Sequence, residues 1–92
     1  MGERRSKVQV LVDILRVIQR QGGEARPTHI LYKANLSHKL LKSHLNLLME
    51  KGFIEQKSYG DKVHYCITEK GINFVVEYKK IEKLSSAFGL QI

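Results

Sequence analysis

Apolar residues recur at helical spacing near the start of the chain: Val8, Leu11, Ile14, Leu15 and Ile18 fall on one side of a 3.6-residue helix. Ser6 precedes them and Gln9 follows three residues later, the pairing that lets a hydroxyl and an amide satisfy each other's backbone at a helix start. Gly22-Gly23 closes this first helix, since glycine enters the left-handed conformation without a Cβ penalty. The spacing predicts a loop from Gly22 to Arg26. Pro27 suits a first helical turn, where its missing N–H would have no partner, so Thr28 to Ala34 read as a short second helix. Asn35-Leu36-Ser37 interrupts it. Ser37 then caps a third helix with the buried stripe Leu41, Leu45 and Leu48, ending at Gly52. Leu40 and Leu47 lie off that stripe and are expected to reach the first helix.

The period then shortens. Phe53 to Lys57 and Val63 to Ile67 are β-compatible runs around Gly60-Asp61, a two-residue hairpin signal. With those two in the turn, Tyr59 faces Lys62, Lys57 faces His64, and Glu55 faces Cys66 on a polar outer side. Ile54, Gln56, Val63, Tyr65 and Ile67 are expected to point toward the core. Thr68 caps a last helix with two apolar stripes, one of Ile72, Val75 and Val76, the other of Phe74, Tyr78, Ile81 and Phe88. Two stripes exceed what one small domain needs. The order is helix, helix, helix, hairpin, long helix.

A chain of 92 residues is expected to form a single domain, and 42% hydrophobic with 27% charged residues suits a folded one. One Cys cannot form an internal disulfide, and neither an export signal nor a membrane-length apolar run is evident, so an intracellular, cytoplasmic protein is expected. The net charge of +7 favours a polyanionic partner. Its placement sharpens this. Nine cations and three acids lie at or before Leu47, against seven and six after it. Between Ala25 and Met49 there is no acid at all, while Arg26, Lys33, Lys39, Lys42, His29, His38 and His44 all lie there.

Two short helices joined by a tight turn, the second serine-capped and followed by a two-stranded ribbon, resemble a winged helix-turn-helix. The runs Lys51-Gly52-Phe53-Ile54 and Thr68-Glu69-Lys70-Gly71 are similar to that superfamily's pattern over roughly residues 6–76. Ile30-Leu31-Tyr32 with Ala34-Asn35-Leu36-Ser37, and the extra last helix, resemble more narrowly the small archaeal winged-helix DNA-binding proteins of the 10a type. The resemblance implies an α+β, mostly α fold with three helices, a two-stranded wing and an additional C-terminal dimerisation helix. Residues 6–67 would form the core and wing, and residues 68–88 the dimerisation helix. It also implies a double-stranded DNA partner, a nucleoid-associated location and a homodimer through Phe74, Tyr78, Ile81, Ser85 and Phe88, which fit a heptad with one polar member.

A recognition helix lies in the major groove. With Leu41, Leu45 and Leu48 buried, Ser37, His38, Lys39, Lys42, Ser43 and Asn46 are the expected base and phosphate contacts. Lys57, Tyr59, Lys62 and His64 would serve the wing, where Asp61 at the tip repels phosphate. Arg4, Arg5 and Lys7 read as a basic arm. Catalysis is not expected: His64 and Cys66 share a strand face without an acidic orienter, an oxyanion loop or a phosphate cradle. Cys66 reads as a structural thiol, and the scattered His residues have no zinc-ligand spacing, so no cofactor or metal is expected. No residue set reads as an effector pocket. A protein-interaction module and an RNA-binding protein stand as the alternative functions.

Overall fold

The computed structural model describes residues 5–90. Its elements run α1 (Lys7–Arg20), β1 (Glu24–Ala25), α2 (Pro27–Ala34), α3 (His38–Glu50), β2 (Ile54–Tyr59), β3 (Lys62–Ile67) and α4 (Glu69–Ala87). α1 starts at the expected capping box, with Ser6 Oγ accepting from the Gln9 amide at 3.1 Å and Gln9 Oε1 accepting from the Ser6 amide at 2.8 Å. Its apolar side supplies the centre of the core, where Ile14, Leu15 and Ile18 meet Ile30, Leu41, Leu45, Leu48, Ile54 and Val75. The break after α2 has a local cause. Asn35 takes a left-handed conformation at φ 54°, which its short polar side chain tolerates, and the chain turns there toward the Ser37 cap of α3.

The segment from Gly22 to Arg26 departs from expectation. Glu24 and Ala25 form a strand that pairs antiparallel with Cys66 and Tyr65, so the wing is a three-stranded sheet in the order β1-β3-β2. A two-residue strand is too short to display a period, which is why the apolar pattern leaves it as loop. The hairpin keeps the expected register, Tyr59 opposite Lys62, Lys57 opposite His64 and Glu55 opposite Cys66. Gly60 supplies the turn at φ 66°. On the inner side Ile54 is buried and Tyr65 and Ile67 are partly so, but Gln56 is exposed. The core lies under the base of the hairpin only, and Gln56, further toward the tip, faces an open groove beside α3.

α4 is fastened to the α3–β2 junction by the Thr68-Glu69-Lys70-Gly71 run. Thr68 Oγ1 donates to the Gly52 carbonyl at 2.6 Å and accepts from the Gly71 amide at 3.1 Å. Lys70 Nζ donates to the Lys51 carbonyl at 2.8 Å and sits 5.4 Å from the centre of the Phe53 ring. Gly71 lies so close to the Phe53 carbonyl that a Cβ would overlap it. Phe53 in turn stacks on Phe74 with ring centres 4.7 Å apart. The motif that carried the resemblance is therefore architectural. Beyond Tyr78 the helix leaves the core, and Ile81, Leu84 and Phe88 stand exposed. Arg16 and Glu82, 2.8 Å apart, tie this outer half back to α1. Among the described residues no helix is long and apolar enough to cross a membrane.

Candidate nucleic-acid interface

The expected recognition residues are all exposed on α3, but not on one side: Lys39 and Ser43 lie away from the buried Leu41, Leu45 and Leu48, whereas His38 and Lys42 border that stripe at the groove that Leu41 and Leu45 also line. Ser37 Oγ accepts from the Leu40 amide at 3.2 Å, so its hydroxyl is used in the cap. His38, Lys42 and Asn46, spaced four apart, form one row. They wall an open groove of about 410 Å³ whose other wall is Gln56 and Tyr65 of the sheet. Lys39 and Ser43 form a second, fully outward row. Among the described residues neither Lys39 nor Lys42 pairs with an acid.

On the flank toward α1 the expectation divides. Leu47 packs against the core, but Leu40 is 51% exposed and stands outside the core cluster. Position 47 is close enough to the core cluster to be covered, and position 40, two turns nearer the helix start, is not. Leu40 thus joins the exposed surface beside Lys39. His44, between the two, is half-buried, and its Nδ1 has no hydrogen-bond partner among the described residues. Burial, then the nearby Lys7 ammonium, hold its pKa below the ordinary value.

The wing residues are brought together by a group the sequence reading missed. Glu24 on β1 stands on the outer face of the sheet, level with Cys66. Its Oε1 accepts from the Tyr59 hydroxyl at 3.1 Å and the Cys66 thiol at 3.4 Å, and His64 Nδ1 lies 3.0 Å from Oε2. Tyr59 and His64 also meet edge to face at 4.9 Å. Desolvation raises the Glu24 pKa, but the Tyr59 and Cys66 bonds with His64 and Lys57 outweigh it, and the carboxyl is held below its ordinary value. The bond to Glu24 raises the Tyr59 hydroxyl correspondingly. Lys57 and Lys62 remain exposed.

This corrects the expectation that His64 and Cys66 have no acidic orienter. The arrangement is nevertheless wrong for a nucleophile, because the thiol donates to the carboxylate instead of to the imidazole. Burial first, and Glu24 second, push the Cys66 thiol up, which favours its protonated form. Among the described residues no group of His, Cys, Asp and Glu is arranged to hold a metal ion.

Of the expected arm, Arg4 lies outside the described residues. Arg5 folds back, pairing with Asp13 at 2.9 Å and reaching the Asn35 carbonyl at 3.4 Å, and Lys7 is the first residue of α1. The proposed dimer residues separate likewise. Tyr78 is 8% exposed and Phe74 is half-buried, so both already serve their own chain, while Ile81 and Phe88 are exposed and Ser85 is intermediate. Val8, Phe74, Tyr78 and Ile81 line an open apolar groove of about 380 Å³ between the start of α1 and α4.

Several solved structures share this arrangement. Sso10a-2, a DNA-binding protein from Sulfolobus solfataricus, superposes with a TM-score of 0.81 at 24% identity, over 91% of this chain and 85% of that one. F93 from STIV, a winged-helix DNA-binding protein, gives 0.74 at 16% identity, over 87% and 92%. A mutant of ZitR from Lactococcus lactis in complex with DNA gives 0.69 at 22% identity, over 97% of this chain and 64% of that one. No curated protein matches the chain in sequence. These superpositions, all under 25% identity, establish a shared fold. A family model described as winged helix-turn-helix matches residues 4–86, and the chain belongs to that family.

Proposed function

We propose that the chain binds double-stranded DNA as a transcriptional regulator or chromatin-architectural factor, with α3 in the major groove and the wing on the backbone. The carrying observation is the exposed surface of α3: Lys39 and Lys42 unpaired among the described residues, with His38, Leu40, Ser43 and Asn46 exposed beside them and no acid between Ala25 and Met49. Lysines donate to guanine or neutralise phosphate, asparagine pairs with adenine, and an exposed leucine meets a thymine methyl. Lys7 adds positive charge at the start of α1, where Arg5 is already paired with Asp13. The exposed residues of α4 support a homodimer whose seam is Ile81, Ser85 and Phe88, with Leu84 alongside. In such a dimer the two half-sites stand about 34 Å apart, one helical turn of DNA, or a multiple of that. A thiol held in its protonated form gives no support to an enzyme.

Fluorescence anisotropy against a DNA duplex at several salt concentrations tests the reading. Affinity should fall linearly with salt on logarithmic axes, and Lys39→Ala or Lys42→Ala should each reduce that slope by about one. Absence of binding at about 50 mM salt, or an affinity indifferent to salt, refutes it. Duplex RNA is the competitor that separates the RNA-binding alternative, since its narrow major groove excludes a helix.

A further inference from the structure

On the outer face of the sheet, three donors from the two wing strands converge on one anionic group that belongs to neither strand. The Tyr59 hydroxyl is 3.1 Å from Glu24 Oε1, the Cys66 thiol 3.4 Å from the same oxygen, and the His64 ring 3.0 Å from Oε2. Lys57, opposite His64 in the register, adds its charge to the same place. Such a constellation is what an oxyanion of any source requires: a hydroxyl, a ring N–H and an ammonium on one surface. Its present occupant comes from a strand of two residues, and the Glu24 side chain is 32% exposed, so solvent and solutes reach it. Glu24 and Glu55 also set two acids against Lys57 and Lys62 on this face.

We propose that Tyr59, His64 and Lys57 form a site for a DNA backbone phosphate, in which the Glu24 carboxylate sits as an internal occupant that the phosphate must displace. This deepens the DNA-binding reading and rests on it. A phosphate oxygen accepts from the same donors, but its approach brings two negative groups together, so Glu24 sets a penalty on wing contact and tunes total affinity downward. The wing is then engaged only where the duplex holds a phosphate firmly against it.

Replacing Glu24 by Gln keeps a side chain of the same shape and a carbonyl that accepts from Tyr59, and removes the charge. In the salt-titrated anisotropy assay, Glu24→Gln should bind a duplex roughly three- to tenfold more tightly than the natural chain at low salt, with a slope steeper by about 0.9, the value of one further phosphate contact. Glu77→Gln on α4 reports the effect of removing any exposed acid, and the gain at Glu24 should exceed it. Adding Tyr59→Phe and His64→Ala to Glu24→Gln should abolish the gain. If Glu24→Gln binds no better than Glu77→Gln, or the gain survives loss of Tyr59 and His64, the phosphate site is wrong while DNA binding by α3 stands. If the natural chain itself shows no salt-dependent binding, both fall together. A circular dichroism melt of each variant verifies that the compared proteins are folded.

Discussion

Gly71 is the position where a single methyl group tests how α4 is held. A Cβ there would overlap the Phe53 carbonyl oxygen and stand 2.8 Å from Ile67 Cγ1, and one of these two neighbours is backbone. That carbonyl also accepts from the Thr68 amide at 3.0 Å, so moving it disturbs the bond that closes the wing onto α4. Two effects oppose each other. Alanine is the better helix former by at most about 1 kcal/mol, whereas forcing a methyl group into a packed contact costs about 1–3 kcal/mol, and a weakened hydrogen bond adds about 1 kcal/mol. The steric side wins by about 1–3 kcal/mol. For a domain of this size each kcal/mol moves the melting midpoint by about 4–8 °C, so Gly71→Ala should melt about 5–20 °C lower. Thermal unfolding followed by helical circular dichroism, with Asn73→Ala on the exposed side of the same helix as the control, measures it. A Gly71→Ala protein as stable as the natural one would mean that the propensity term prevails and that the α4 docking is looser than described.

Two further outcomes follow from burial. His44 is held below the ordinary 6.5 by burial and then by Lys7, so as pH falls through 6.5 the unfolded chain gains a proton that the folded chain does not. Stability should therefore decline as pH falls through 6.5, and His44→Gln should flatten that decline; identical pH profiles for the two proteins contradict the assignment. For the dimer, light scattering at tens of micromolar should give twice the chain mass, and Ile81→Lys with Phe88→Lys should return it to one chain while leaving the melt of the folded core nearly unchanged. A monomeric natural chain removes the α4 seam.

What the sequence made legible was whatever repeats. The four helices follow from apolar spacing and from Ser6, Ser37 and Thr68, each of which caps the helix that it precedes. Gly60-Asp61 sets the hairpin register through local turn chemistry. The misses share a different character. β1 is two residues long, and Glu24 meets His64 and Cys66 across about forty residues of chain, so neither a period nor a spacing signals it. A wheel assigns positions 40, 44 and 47 to one flank of α3, but only the tertiary arrangement decides that Leu47 is covered, His44 half-covered and Leu40 left open. The outward rows of α3 were legible because they are the complement of a core stripe. The state of the wing was not, because the acid that engages it arrives from elsewhere.

The pairing of β1 with β3 also sets an order of events. Helices need only near neighbours, whereas Glu24 and Ala25 find Cys66 and Tyr65 only after a long loop has closed, at an entropic cost that local contacts must first offset. During synthesis α1, α2 and α3 emerge well before β3, so the helix that carries the exposed cations precedes the wing. The two-residue edge strand β1 closes late, and native-state amide exchange in the sheet should begin there.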